Sequence, residues 1–313
     1  MDLKDVLDIV LIICASGIFF VLPSTIYTTM FLGIFCRRKP LYLDTDDLEG
    51  TAYFPYKDDL KKSIVESKKI ECTLVTINSN DNLKLVGRYY DKKSSTTLLL
   101  IHGYQSNSFN NFSSLMQYCL SLGFNVLMID QRAHGMSEGC FTTTGCKEKY
   151  DLLNWISWVD SNTDCSNIFI YGISMGATTI GLASDKIDNP KVKGLIMEAG
   201  FTSFYEELWF SSGKVFTKRA AMNYIVLCAK YLLKSDIKES TTDALSRTTI
   251  PVLFFHGNND TEVPMSHTKE NFLACSSDKY FSIVEGAPHT LCHYIGKENV
   301  ENKIKEFIIK YQS

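Results

Sequence analysis

Residues 169–177, FIYGISMGA, constrain the fold more than any other stretch of this chain. An apolar run suited to a buried strand ends in Gly172-x-Ser174-x-Gly176 and continues into small residues compatible with a helix. A sharp turn from strand to helix is sterically feasible only where the neighbours of the central residue lack bulk, and the two glycines meet this need. The pattern therefore predicts a turn that holds Ser174 clear of the backbone. Because the pattern also arises by chance, the surrounding sequence has to show whether this turn is present.

Short apolar runs recur along the chain with a spacing typical of a parallel sheet. Residues 70–77 and 83–90 flank a polar turn, which predicts two antiparallel strands at the start of the sheet. Helical-length segments separate most of the later runs, which predicts a mainly parallel, twisted α/β sheet with helices on both faces. These later runs are residues 97–101, 125–129, 167–171, 192–197, 252–255 and 280–284.

Polar side chains with reactive groups follow the predicted parallel strands. His102 follows the first of them, Ser174 the third, Asp260 the fifth and His289 the last. In an open α/β sheet the carboxyl ends of the strands meet at one edge, and ligands bind there. The chain order Ser174, Asp260, His289 is the order that a Ser-Asp-His triad has on a sheet of this kind.

Five motifs resemble, in sequence and order, those of the α/β-hydrolase-fold serine hydrolases, and most of all membrane-anchored bacterial members of the serine aminopeptidase-like group. The motifs are HGYQSN, DQRAHGMSEG, YGISMGA, HGNNDTEVP and GAPH, and the resemblance covers about residues 70–313. It implies Ser174 as the nucleophile, Asp260 as the acid and His289 as the base. It also implies an oxyanion hole formed by the amides of Tyr104 and Met175.

These roles also have chemical reasons. His289 can accept the Ser174 proton during attack and return it to the leaving group, provided that a carboxylate such as Asp260 fixes its other ring nitrogen. Two amides aimed at the developing oxyanion lower the barrier by on the order of 3 kcal/mol each. Glu262, the other carboxylate near the end of that strand, is expected to be a solvated loop charge.

Other polar residues near the strand ends are expected to brace loops. His134, with Asp130 and Arg132, is interpreted as such a bracing set, and His102 and His256 are expected to hold strand ends by hydrogen bonds.

Neither a metal nor another cofactor is expected. His289, Cys292 and His293 could act as ligands, but no further ligand pair lies at a suitable spacing. The ten cysteines show no C-x-x-C and no tight framework, which favours reduced thiols, and pairing of Cys140 with Cys146 stays open.

The first 39 residues predict a membrane anchor. Residues 6–36 are almost wholly apolar and are followed at once by Arg37-Arg38-Lys39. The chain has no basic n-region, and the run exceeds a signal-peptide core, so an uncleaved helix is favoured over a cleaved signal. The basic cluster favours the cytoplasm for the following domain, with the extracellular side as the alternative. Residues 40–69 predict a linker with a short amphipathic helix, and residues 70–313 the catalytic domain.

A long insertion of helical character follows the fourth parallel strand, at about residues 201–247. A cap over the active site lies at this position in the fold that the motifs resemble, and its many apolar residues predict a substrate with an apolar acyl or aromatic group. The same residues could equally serve only to cover the core. Glu206 and Glu207 are candidates for binding a substrate amine. The apolar residues are Phe204, Tyr205, Trp209, Phe210, Phe216, Met222, Tyr224, Ile225, Leu227, Tyr231 and Leu232.

Several classes of function are compatible with these patterns. The net charge of −3 and scattered basic residues argue against a nucleic-acid partner. The sequence names neither the physiological substrate nor the oligomeric state. A serine hydrolase that cleaves a carboxylic ester or thioester through an acyl-enzyme is favoured. A peptidase of the serine aminopeptidase type is the alternative, followed by a catalytically silent membrane-bound binding protein on the same fold and a membrane assembly factor.

Overall fold

One mixed sheet of eight strands organises the chain. The computed structural model describes residues 36–38, 53–211 and 218–312. The strands are Thr73–Asn78 (β1), Lys84–Tyr90 (β2), Thr96–Ile101 (β3), Asn125–Asp130 (β4), Asn167–Ile173 (β5), Val192–Glu198 (β6), Val252–Gly257 (β7) and Lys279–Val284 (β8). Their order across the sheet is β1-β2-β4-β3-β5-β6-β7-β8. β2 is antiparallel to β1 and β4, and all other neighbours are parallel.

Helices lie on both faces of the sheet. Their bounds are Lys57–Ser67 (α1), Ser108–Ser121 (α2), Glu148–Asn162 (α3), Met175–Ala183 (α4), Phe204–Ser211 (α5), Lys218–Cys228 (α6), Thr241–Leu245 (α7), Met265–Ala274 (α8), Cys292–Ile295 (α9) and Lys297–Tyr311 (α10). Apolar residues of α3, α4 and α7 share one core cluster, and those of α2 and α10 share the cluster on the other face. The sheet is therefore covered on both sides, as the α/β-hydrolase fold requires.

The central strands are buried on both faces. Every residue of β3, β4 and β5 is buried, which explains why they read as continuous apolar runs. Because successive side chains point to opposite faces, Leu99 and Ile101 enter one core cluster whereas Leu98 and Leu100 enter the other. Full burial of such a side chain contributes about 1.5–3 kcal/mol. The rigid centre of the sheet carries the loops of the candidate site at its carboxyl edge.

The predicted architecture is confirmed for the catalytic domain. The first two strands form the expected antiparallel pair, the predicted amphipathic helix is α1, and the later strands lie within two residues of the predicted bounds. Residues 1–35, which hold nearly all of the predicted anchor, lie outside the described residues, as do residues 39–52 of the linker region. Within the part of the chain that the structure does describe, no helix is both long and apolar enough to cross a membrane.

The insertion after β6 is helical and only partly turned towards the core. It contains α5, α6, a π-helical turn at Ala229–Leu233, and α7. Its buried side chains and three from other parts of the chain, Cys36, Met175 and Val263, form what we name the cap cluster. The members from the insertion are Phe201, Phe204, Leu208, Met222, Ile225, Ala229, Leu233 and Ile237. Phe216 lies outside the described residues. In contrast to both expectations for this insertion, an apolar slot and cover for the core, Phe210, Leu227, Tyr231 and Leu232 are exposed. They lie on the outward side of the helices, because the inward positions are taken by the cap cluster.

Candidate active site

Ser174 occupies the turn between β5 and α4 in a backbone conformation that L-residues rarely adopt, with φ 54° and ψ −117°. A Cβ atom on Gly172 would lie 2.4 Å from the carbonyl oxygen of Gly176, and a Cβ atom on Gly176 would lie 2.1 Å from the carbonyl oxygen of Ile101. Both glycines are therefore sterically required, for the reason that the sequence suggested. The turn holds Ser174 at the carboxyl edge of the sheet.

Ser174, His289 and Asp260 form a continuous hydrogen-bonded line. His289 Nε2 lies 2.9 Å from Ser174 Oγ, and His289 Nδ1 lies 2.7 Å from Asp260 Oδ2. Asp260 Oδ1 accepts hydrogen bonds from the amides of Glu262 and Val263, each at 2.9 Å. One carboxylate oxygen is thus fixed by its own loop while the other faces the histidine. Glu262 itself is exposed, as predicted.

The environment of His289 favours its protonated form. Burial on its own would lower the pKa of this imidazole, but the hydrogen bond from its ring to Asp260 and the negative charge of Asp260 outweigh burial, and the pKa is raised above 6.5. The buried carboxylate would therefore stabilise the imidazolium that would form if the ring took a proton from Ser174. Chemistry that needs the neutral ring should increase as the pH rises through this raised pKa.

Glu198, which the sequence analysis did not single out, ties the turn at Ser174 to the loop of His289. It ends β6 and is fully buried. Its carboxylate accepts hydrogen bonds from the Tyr171 hydroxyl at 2.6 Å and the Cys292 amide at 3.1 Å. Its carbonyl accepts one from the Ser174 amide at 2.8 Å. The available signal was a glutamate that directly follows the apolar residues Leu195, Ile196 and Met197.

The two residues predicted for the oxyanion hole lie beside Ser174. Met175 is the first residue of α4, so its amide has no acceptor within the helix. The loop after β3 passes close by, because a Cβ atom on Gly103 would lie 3.4 Å from Ser174 Cβ. Asn111 Oδ1 accepts a hydrogen bond from the Gly103 amide at 2.8 Å and so fixes this loop. Tyr104 follows directly and packs against the cap cluster.

Two histidines brace the loop that carries Tyr104, as predicted. His134 Nε2 accepts a hydrogen bond from the Gln105 amide at 3.1 Å, which leaves Nδ1 to donate to the Arg132 carbonyl at 2.8 Å. His102 Nε2 accepts one from the Gln131 amide at 3.0 Å, and Nδ1 donates to the Gly103 carbonyl at 2.7 Å. Burial lowers the pKa of both histidines, so they serve here as neutral hydrogen-bonding groups.

Ion pairs of Asp130 and Arg132 fix the end of β4 and the loop that follows it. Asp130 Oδ2 lies 3.0 Å from Arg88 Nη1. Arg132 makes a bidentate pair with Asp151, with both nitrogen–oxygen distances 2.7 Å, and contacts Asp81 at 2.9 and 3.1 Å. The side chains of Arg132 and Asp151 are 4% and 6% exposed, so their charges depend on each other rather than on water.

The remaining candidate histidines have structural partners. His256 holds the end of β7 through Thr268 Oγ1 at 2.8 Å and the Val263 carbonyl at 3.1 Å, as predicted. His293 Nε2 lies 3.0 Å from a Glu301 carboxylate oxygen. Over residues 36–38, 53–211 and 218–312, no three His, Cys, Asp or Glu side chains are arranged to hold a metal ion. Cys140 and Cys146 are both free thiols, the first exposed and the second buried.

The structure separates the two acidic residues at the start of the cap. Glu206 is exposed, whereas the Glu207 side chain is 15% exposed. Glu207 Oε1 accepts a hydrogen bond from the Ser211 hydroxyl at 3.0 Å. Glu207 Oε2 is buried and has no hydrogen-bond partner among the residues that the structure describes, and His267 Nε2 is 3.8 Å away. A buried carboxylate oxygen with unused acceptor capacity is costly to keep charged.

Glu207 interacts electrostatically with the candidate triad. Burial raises its pKa to about 7, the positive charge of protonated His289 lowers it, and the charges of Asp260 and Glu262 raise it. The sequence could not show which of the two glutamates faces the candidate triad, because adjacent glutamates in a helix differ only in the direction of their side chains.

Replacing Glu207 with Gln should stabilise the protein above pH 7. Because the folded pKa of about 7 exceeds the ordinary value of 4.5, the folded state binds the proton more tightly than the unfolded chain. Stability is therefore lost as the pH rises from 4.5 through 7, by at most about 3 kcal/mol. Urea unfolding of wild type and Glu207→Gln between pH 5 and about pH 8 measures this. The difference in the free energy of unfolding between Glu207→Gln and wild type should grow with pH. Glu206→Gln, at an exposed position, should change the free energy of unfolding little. A pH-independent difference would contradict the assignment.

The fold and this site define the class of protein: an α/β-hydrolase-fold serine hydrolase. Comparison with known proteins agrees. A family model described as X-Pro dipeptidyl-peptidase (S15 family) matches residues 89–239. The uncharacterized protein YqkD of Bacillus subtilis is 27% identical over 219 residues, which are 68% of this chain and 70% of YqkD. The lysophosphatidylserine lipase ABHD12 of Danio rerio is 25% identical over 201 residues, 61% of this chain and 51% of ABHD12.

Among solved structures, the Pyrococcus furiosus esterase Pf2001 superposes with a TM-score of 0.65 at 23% identity, covering 79% of this chain and 96% of the esterase. This likeness is one of fold. With the sequence relatives, it identifies the chain as a serine hydrolase built on the α/β-hydrolase fold.

Proposed function

We propose that the protein cleaves carboxylic esters or thioesters through an acyl-enzyme formed on Ser174. The observation that carries the proposal is the unbroken line of hydrogen bonds from Ser174 through His289 to Asp260, at 2.9 and 2.7 Å. In the first step His289 Nε2 takes the hydroxyl proton as Ser174 Oγ attacks the acyl carbon. The same ring then gives its proton to the leaving alcohol or thiol, which departs as the acyl-enzyme forms.

The second half of the reaction uses the same groups. His289 takes a proton from water, the hydroxide attacks the acyl carbon, and Ser174 leaves with the proton returned. In each half the carbonyl oxygen becomes an anion, for which we assign the amides of Met175 and Tyr104 as donors. Asp260 stays charged throughout and keeps the ring in the tautomer that has its acceptor nitrogen towards Ser174.

The cap cluster supports an apolar acyl group as substrate. Met175 belongs to this cluster and follows Ser174 directly, and Phe204 and Leu208 of α5 share it. Partly buried Tyr205 and Trp209 pack against the same cluster. An acyl chain extending from Ser174 under the cap would therefore contact carbon rather than water. The relative ABHD12, described as a lysophosphatidylserine lipase, supports an ester with a long apolar chain.

A panel of p-nitrophenyl esters from acetate to decanoate should show kcat/KM rising with chain length. Each methylene transferred from water contributes about 0.8 kcal/mol. If this energy is expressed in the transition state, kcat/KM rises up to about fourfold per added carbon. Trp209→Ala should flatten the rise while leaving acetate turnover similar. Trp158→Ala, which alters a tryptophan in α3 outside the cap cluster, is the control. Equal rates across the panel together with faster cleavage of aminoacyl-nitroanilides would reject the ester proposal.

An aminopeptidase is the second candidate, and Glu207 is the observation that favours it. Its buried Oε2, which no described residue hydrogen-bonds, is close enough to His289 for their charges to interact. This oxygen could accept hydrogen bonds from a substrate ammonium group. The match to the S15 peptidase family adds weight. For a peptidase, Glu207→Gln should lower kcat/KM on aminoacyl-nitroanilides by tenfold or more, on the order of 1.4 kcal/mol, with ester turnover little changed. If the protein is an ester hydrolase instead, Glu207→Gln should lower neither anilide cleavage nor ester turnover.

We also propose that residues 6–36 anchor the protein in a bilayer, with the catalytic domain on the cytoplasmic side. The apolar run and the adjoining Arg37-Arg38-Lys39 support this. Protease added to intact cells should then leave the catalytic domain uncut, and permeabilised cells should lose it. Digestion in intact cells would instead place the domain outside.

A further inference from the structure

The short segment at residues 36–38, which directly follows most of the apolar run, is built into the catalytic domain. The Thr142 amide donates a hydrogen bond to the Cys36 carbonyl at 2.8 Å, and the Arg38 amide donates one to the Cys140 carbonyl at 2.7 Å. These two bonds pair the segment with the loop after β4 as a short antiparallel bridge. The chain therefore leaves the proposed anchor already fixed to the domain.

Side chains on both sides of this bridge strengthen the attachment. The guanidinium of Arg38 donates to the carbonyls of Ser137 and Gly135, each at 2.6 Å. Cys36 is 1% exposed and is a member of the cap cluster, to which residues of α6 and Met175 also belong. The last residue of the apolar run is thus buried in the same apolar cluster as the residue that follows Ser174.

This attachment limits where the bilayer can be. A helix spans a bilayer with about 20 residues, so a span within residues 6–36 would be separated from Cys36 by at most about ten residues. A long linker would let the domain sit far from the membrane, but so short a connection would not. With residues 6–36 as the anchor proposed above, the cap would therefore lie close to the membrane surface.

The outward side of the cap has the composition of an interfacial surface. Leu227, Tyr231 and Leu232 are 49%, 70% and 61% exposed at the end of α6 and in the π-helical turn. Leu227 and Tyr231 are four residues apart and share one side of the helix. Lys230 and Lys234 are exposed beside them. Exposed aromatic and aliphatic residues flanked by lysines favour the boundary between headgroups and acyl chains, where the ammonium groups can reach lipid phosphates.

We propose that this outward side, formed by Leu227, Lys230, Tyr231, Leu232 and Lys234 and named here the cap face, lies in the lipid headgroup region. The inference rests on the proposed anchor and deepens the proposed function. It makes the substrate an ester that reaches the cap from the bilayer and not from water. A second copy of the chain is the competing occupant, and the experiment separates it from lipid.

The test uses the full chain reconstituted in phosphatidylcholine vesicles with about a fifth phosphatidylglycerol, with and without lipids brominated on the acyl chain. Tyr231→Trp adds a fluorophore to the cap face, and Ile309→Trp adds one at an exposed apolar site on α10, outside the cap cluster. Brominated lipid should quench the added signal of Trp at 231 by half or more and leave that at 309 unchanged. The native tryptophans are subtracted with the wild type.

Absence of extra quenching at position 231 would overturn the proposal, and this is also the result expected if a second copy covers the face. An alkaline carbonate wash of the same vesicles reports separately on the anchor. The functional arm uses Leu232→Asp with Ile309→Asp as its control. Leu232→Asp should reduce hydrolysis of a vesicle-embedded ester about tenfold, which is about 1.4 kcal/mol, and leave soluble p-nitrophenyl acetate turnover unchanged. An equal loss on both substrates would also reject the proposal.

Discussion

Ser174→Ala is expected to lower kcat on a p-nitrophenyl ester by on the order of 10⁵ to 10⁶ and to abolish covalent labelling by a fluorophosphonate probe. The hydroxyl that the variant lacks is 2.9 Å from its base in the wild type. The fold should persist, because alanine differs from serine only by that oxygen, and circular dichroism checks this. Ser157→Ala, at an exposed position in α3, should retain both activity and labelling. Labelling that survives in Ser174→Ala would place the nucleophile elsewhere and would revive the binding-protein alternative.

The partners of Ser174 should behave as one unit with it. His289→Ala is expected to match the serine variant, and Asp260→Asn to lose about 10⁴, because the ring then loses its fixed tautomer. Combining either change with Ser174→Ala should add almost nothing, since the first substitution has already removed the proton-transfer path. Losses that multiply in the double variants would contradict the mechanism proposed above.

Arg132→Leu should be the most destabilising of the charge substitutions. It leaves the Asp151 carboxylate buried without its bidentate partner, and breaking a buried pair from one side costs about 3–5 kcal/mol. The charged form of this carboxylate is already disfavoured, because burial raises the pKa of Asp151 to about 6. The hydrogen bond and the charge of Arg132 act in the opposite direction and lower this pKa. Urea unfolding at pH 8, where Asp151 is charged in the wild type, measures the loss.

An exposed pair provides the control. Arg247 bonds Asp185 at 2.6 and 3.0 Å but is 59% exposed, so Arg247→Leu should change the free energy of unfolding by less than about 1 kcal/mol. The double substitution Arg132→Leu and Asp151→Leu should recover part of the loss, because no charge then remains without a partner. A loss at Arg132 no larger than that at Arg247 would show that water reaches the pair.

Much of the fold was predictable because burial in a parallel sheet leaves a strong trace in the sequence. β3 and β5 read as continuous apolar runs, and the glycines around Ser174 are required by contacts of 2.1 to 2.4 Å that admit no side chain. The strand ends then placed Asp260 and His289 at the same edge as Ser174. Motif order and sheet topology were sufficient for these three, since each depends on backbone position more than on the orientation of a helix.

The remaining features depend on which side of a helix meets its neighbour. The sequence treated Glu206 and Glu207 alike, and only the packing of α5 turns one outward and the other inward. It expected Tyr231 and Leu232 either to line an acyl slot or to cover the core. Both are exposed instead, because Ile225, Ala229 and Leu233 already fill the inward side. A local sequence pattern does not specify which side of a helix faces the core, because contacts between segments far apart in the chain determine it.

The sheet order has a consequence for how the enzyme is made. From β6 onward, each strand is added beside the one that precedes it in the chain, so a nascent polypeptide can dock every new strand onto an edge that has already left the ribosome. His289 comes after the last of these strands, 115 residues behind Ser174. At a translation rate of about 5–20 residues per second, the serine exists for roughly 6 to 23 seconds without its base. With the mechanism proposed above, hydrolysis would begin only after β8 and His289 have been synthesised, and cotranslational intermediates would carry a serine that cannot yet attack an ester.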